Sequence, residues 1–150
     1  MQVVNMKPEP ETYYLQPTRY VPNSNLPVVL YRGVLGTTPT PESIRSLIEP
    51  NKWIRGGQWK TYPTAHFHSV SHECYAVFQG KSTFRLGKSP IDPDTNENGE
   101  KLGCEVLLER GDIIVLPVSP DPRSSKGSTP YTERTCVGFS SSLQLWSRRV

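Results

Sequence analysis

Several familiar signatures are missing from this sequence of 150 residues. No apolar run is long enough to span a bilayer, and the opening residues, Met1 to Pro10, lack the apolar core of a signal peptide. The expectation is a soluble, cytoplasmic protein without membrane contact. Lysine and arginine total 17 against 14 acidic residues and are scattered along the chain, so the basic stripe that marks nucleic-acid binding is missing as well. Arg148 and Arg149 read as a solvated end. The three cysteines, Cys74, Cys104 and Cys136, are an odd number without CxxC spacing. That excludes a complete disulfide framework and a zinc knuckle, and leaves buried free thiols as the reading. Histidine is also scarce, with three in all and none after His72.

What the chain does have is turns. Its 15 prolines and 11 glycines are residues that helix interiors reject, while 35% apolar content in a chain of this length suffices for one core. A single domain over residues 1–150 is expected, with 1–20 as an extended, proline- and tyrosine-rich arm and 21–150 as the folded body. Tyr13, Tyr14 and Tyr20 are candidates to anchor that arm on the body or on a second subunit. Residues 27–32 read as a β-strand. The one helix signal lies at 40–49, where Thr40 caps, Pro41 suits the first turn, Ile44, Leu47 and Ile48 form an apolar face and Pro50 terminates. Thereafter short strands are expected near 53–62, 65–69, 73–79, 82–87, 104–109, 112–117 and 134–146, a rhythm of all-β folds. Residues 87–101 and 119–131 are polar loops. Asp92, Asp94, Asn96 and Glu97 invite a calcium reading, but their order lacks the glycine and glutamate of an EF-hand loop, so a solvated loop is expected.

The chemistry concentrates between Ala65 and Gly80. On a strand, His66 and His68 share one face, and their imidazoles can converge on one ion. Glu73 opens the next strand, with Tyr75 and Val77 on its side and Cys74, Ala76 and Phe78 on the other. A short turn between the strands would set Glu73 opposite the histidines. Two imidazoles and a carboxylate suit Fe(II), Mn(II), Zn(II) or Ni(II) and leave coordination positions open. The same groups suit metal-free proton transfer, because histidine titrates near neutrality and burial raises a carboxyl toward it. A satisfied core or rim pair is the purely structural alternative for the histidines. His72, by parity, points away from the interior as a turn or supporting residue.

The pattern His66-x-His68, four residues, Glu73, six residues, Gly80 resembles the first signature motif of the cupin superfamily. Gly111-Asp112, the apolar run to Leu116 and Pro117 are similar to its second motif, and the two together span about half of the chain. The lead-in at 22–31, the helix at 40–49, Gly56-Gly57-Gln58-Trp59 and a histidine at position 72 resemble a subgroup of small single-domain cupins. The resemblance implies a cupin double-stranded β-helix, a jelly-roll barrel, with a small-molecule site inside it and a homodimeric assembly. It departs at the end of the second motif, where metal-binding cupins carry a glycine and then a histidine and this chain has Ser119 and Pro122. The customary fourth ligand is therefore missing, with Asp121 the nearest substitute.

The resemblance implies a tailoring enzyme of microbial secondary metabolism acting on an aromatic or polyketide-like small molecule, with His66, His68 and Glu73 as catalytic groups or metal ligands. The reaction is then an isomerisation, cyclisation or lyase step, or a metal-dependent oxygenation. Trp59, Tyr62, Tyr75 and Arg85 are the candidate substrate contacts, the first three as aromatic walls and Arg85 as a grip for a carboxylate or phenolate, with core filling the equal alternative for Trp59 and Tyr62 and an exposed, solvated side chain the default for Arg85. The competing expectation is a non-catalytic barrel that binds a small molecule or a protein partner.

Overall fold

The computed structural model describes residues 9–60, 65–119, 135–137 and 142–149. In chain order the elements are β1 (Glu11–Tyr13), β2 (Val28–Tyr31), α1 (Pro41–Ile48), a 3-10 turn (Glu49–Asn51), β3 (Ile54–Lys60), β4 (Ser71–Gln79), β5 (Lys81–Leu86), β6 (Cys104–Glu109), β7 (Ile113–Leu116), β8 (Thr135–Val137) and β9 (Ser142–Arg149). The class is all-β with one short helix. Six strands form one sheet in the order β1-β2-β7-β4-β9-β3, three form another in the order β6-β5-β8, and every pairing is antiparallel. Among the described residues both sheets are open, so the closed barrel expected from the sequence is not what these strands form. No described helix is long and apolar enough to cross a membrane.

Period-2 alternation makes one core between the sheets. Val28 and Leu30 of β2, Tyr75 and Val77 of β4 and Ile114 and Leu116 of β7 meet Phe84 and Leu86 of β5 and Val106 and Leu108 of β6. β4 lies between β7 and β9 and is buried on both faces, because Cys74 and Ala76 on its other side pack with Ile113 against Ile44 and Ile48 of α1. Each of those isoleucines removes enough apolar surface from water to stabilise the fold by about 2 kcal/mol.

The helix begins as its sequence requires. Thr40 Oγ1 accepts from the Ser43 amide at 3.2 Å while Ser43 Oγ accepts from the Thr40 amide at 3.0 Å, with Pro41 in the first turn. One detail differs from expectation. Leu47 is 45% exposed and lies outside the buried face. The α-helix ends at Ile48, two residues before Pro50, which sits inside the 3-10 turn. Proline fits there because the amides of a first turn have no intrahelical acceptor to lose.

Two motif glycines stand where the chain leaves one sheet for the other. Gly80, at φ +74°, separates β4 from β5, and Gly111, at φ +98°, lies in the turn between β6 and β7. The left-handed backbone that both adopt is open to glycine at little cost. The Gly111 amide donates to Val77 O at 2.9 Å and the Val77 amide to Asp112 O at 3.0 Å, which ties this corner to β4. The buried carboxylate of Asp112 accepts from the Gly33 amide at 2.8 Å, the Glu109 amide at 3.0 Å and Arg32 at 2.9 Å.

Other expectations need correction. Residues 11–13 of the supposed arm form an edge strand on β2, and Leu15 packs close to Gly87. The strand expected at 65–69 is absent, since both edges of β4 are taken by β7 and β9 and no hairpin partner position is left for the residues before it. The strand expected at 134–146 is instead two, β8 and β9, in different sheets. Two acidic groups of the 87–101 loop are engaged within the protein. Asp92 accepts from the Ser89 amide and the Thr18 hydroxyl, and Asp94 pairs with Lys88 at 2.6 Å.

Candidate metal centre

Glu73 lies on the inward side of β4, directly across from Leu116 of β7 and Ser147 of β9. It is 1% exposed, and a carboxyl so deep requires polar partners. His68 Nε2 lies 2.8 Å from its Oε1, and the phenol of Tyr75 donates to its Oε2 at 3.1 Å. Tyr75 is fixed in turn by an edge-on contact with Phe84, ring centroids 5.5 Å apart.

The histidines arrive from an extended segment, not a strand. Its backbone is pinned by the Ser119 amide, which donates to His68 O at 3.0 Å. Alternation still operates along it, because Phe67 is buried between two half-exposed histidines. The rings of His66 and His68 lie edge to face with centroids 5.3 Å apart. One donor atom from each of His66, His68 and Glu73 lies within 4.8 Å of the others, and no second such group occurs among the described residues. The His68 side chain is 36% exposed, so the cluster has a wet histidine side and a dry carboxylate floor.

This donor set fits a borderline divalent cation such as Zn(II), Fe(II), Mn(II) or Ni(II). Bonds near 2.0–2.2 Å hold neighbouring ligand atoms about 3 Å apart, so modest side-chain rotation would close the present spacing. His68 Nε2 and Glu73 Oε1 are themselves ligand atoms, so a bound cation would take the place of the direct contact between them.

His72 follows its expected parity. It faces the opposite side of the sheet from Glu73, and its Nδ1 accepts from the Val118 amide at 3.0 Å. Burial, and then the charge of Arg148 across the strand pair, hold its pKa below the usual histidine value. It is therefore not a fourth ligand in this arrangement.

The expected substrate contacts fare unequally. Tyr75 is 7% exposed with its hydroxyl engaged by Glu73, which makes it a support beneath the site more than an open wall. Arg85 takes its default position, projecting from the exposed face of β5 and pairing with Glu105 at 2.7 Å, while Phe84 and Leu86 face the core. Trp59 belongs to β3, but its side chain lies outside the described residues, as do Tyr62, Asp121 and Pro122. Two contacts were not foreseen. The Ser119 and Val118 amides, which hold His68 and His72, are backbone groups, and nothing in side-chain chemistry announces them.

No family model matches the chain, and no curated protein matches it. Among solved structures, that of a DUF861 family protein from Thermotoga maritima aligns with 76% of this chain and 96% of its own at 17% identity, with a TM-score of 0.29. A superposition that loose carries no argument about fold or function.

Proposed function

We propose that this chain is a cupin-type jelly roll that binds one divalent cation through His66, His68 and Glu73 and acts there on a small organic substrate. The observation that carries the reading is the convergence of three donor atoms within 4.8 Å around a fully buried carboxylate. The two cupin-like motifs support it independently, with Gly80 and Gly111 at the sheet-to-sheet corners. When bound, the cation supplies Lewis-acid polarisation of a substrate oxygen.

The protein's own groups do the rest. Tyr75 and His68 orient the Glu73 carboxylate, and the buried floor excludes water from it. Where no cation is bound, His68, partly exposed and 2.8 Å from Glu73, can instead pass a proton between that carboxylate and a substrate on the wet side. Isomerisation, cyclisation or a lyase step on an aromatic or polyketide-like molecule is the class of reaction this pair serves, and tailoring in microbial secondary metabolism is the proposed setting. An edge-to-edge homodimer belongs to the same proposal, and light scattering that finds only monomer at micromolar concentration would remove it.

A second reading, a non-catalytic barrel that binds a small molecule or a protein, is favoured by one feature. Position 122 holds proline where the histidine ligand of metal-binding cupins would be expected. Elemental analysis of protein purified without a histidine tag, beside His66→Ala, tests the proposal. Near-stoichiometric metal that disappears in the variant supports it, whereas a site that stays empty even after incubation with Fe(II), Mn(II), Zn(II) and Ni(II) rejects it.

A further inference from the structure

The outer face of the six-stranded sheet is covered unevenly. α1 packs over Cys74, Ala76 and Ile113, but beside that contact the sheet forms the floor of an open groove of about 450 Å³. Val29 and Val115, paired across β2 and β7, supply its apolar base, with Leu26 and the Trp53 indole along its sides. His72 and Arg148, paired across β4 and β9, stand on the same face and close one end.

We propose that this groove binds a small monocarboxylate with a flat apolar body, at a site separate from the His66, His68 and Glu73 cluster on the opposite face. The volume falls in the range of small-ligand sites, and the lining follows their usual pattern of apolar walls with a few polar groups at one end. Charge selects the ligand's head. Arg148 is exposed and has no salt bridge among the described residues, so its guanidinium is available to an anion. His72 Nδ1 accepts the Val118 amide proton, which in the neutral ring leaves the hydrogen on Nε2 as a second donor. A guanidinium fork and one imidazole N–H match the two oxygens of a carboxylate. The valines and the indole then favour a planar hydrocarbon body over a polar one.

Titration with 2-naphthoate, followed by protein NMR with uncharged 2-naphthalenemethanol as the comparison, tests this. Saturation at one naphthoate per chain is expected, with cross-peaks from naphthyl protons to the Trp53 indole. Arg148→Met, which keeps an apolar stem, should weaken naphthoate about tenfold or more and leave the alcohol unchanged. Leu26→Asp, at a position 55% exposed and so tolerant of change, should weaken both probes. His66→Ala should alter neither. The proposal is overturned by no saturation at millimolar naphthoate, by equal losses for both probes in Arg148→Met, or by loss of binding in His66→Ala, which would place the ligand at the inner site. A concentration-dependent dimer abolished by Leu26→Asp would overturn it too, by giving the groove to a second copy.

Discussion

Tyr75 donates its phenolic proton to Oε2 of Glu73 at 3.1 Å, from a position two residues further along the same strand. Because side chains two apart share a face, the tyrosine stands beside the carboxylate it supports, and His68 meets the other oxygen at 2.8 Å. Tyr75→Phe removes one of these supports without changing the shape of the core. Metal affinity is expected to fall about tenfold or more, as for other residues that orient a ligand from behind. Thermal or urea unfolding should show a loss of about 1–2 kcal/mol from the poorer solvation of a buried carboxyl. Isothermal titration with Zn(II) and an unfolding curve check the two numbers.

Cys74 faces α1 and is buried, and its burial pushes the thiol up to about 12. At pH 8 the thiol is therefore protonated in the folded state and is a poor nucleophile. Alkylation by iodoacetamide at pH 8, read residue by residue by mass spectrometry, should leave Cys74 unmodified until urea unfolds the chain. Cys104 is half-buried and also raised, so it should react slowly but before Cys74. Rapid modification of Cys74 in the native protein would contradict its placement between sheet and helix.

Gly111 has both a left-handed backbone and no room. A Cβ there would stand 2.7 Å from Gly36 O, whereas one at Gly99, also left-handed at φ +80°, would meet nothing within 4 Å. Gly99→Ala should cost only the backbone strain, about 1–2 kcal/mol. Gly111→Ala adds a clash with main chain at the corner that holds β7 on β4, so it should cost clearly more, and urea midpoints of the two variants provide the comparison. Equal costs would mean that the corner is looser than its hydrogen bonds indicate.

The elements that carry a local signal were legible in the sequence. The cap at Thr40, the alternation from Glu73 to Val77 and the parity of His72 are consequences of neighbouring residues, and they appear in the structure as read. The motif spacing likewise brought His66, His68 and Glu73 together correctly, although not by the hairpin imagined for them. That error was one of partnership. A strand at 65–69 needs an edge to pair with, and β7 and β9 occupy both edges of β4 from more than thirty residues away in the chain. Arg85 stands exposed, as its default reading has it, because Phe84 and Leu86 on the other face of β5 meet the core. The support from Tyr75 and the amides of Val118 and Ser119 depends on tertiary proximity, which local pattern does not encode.

The most direct measurement of the central claim is equilibrium Zn(II) binding, by competition with a chromophoric chelator, to the untagged protein and to Glu73→Gln. The amide preserves size and most hydrogen bonding but lacks the anionic charge that a divalent ion requires. One site per chain in the wild type, weakened about a hundredfold or more in the variant, is the expected result. No site in the wild type, or equal affinity in the two proteins, would contradict a metal centre built on His66, His68 and Glu73.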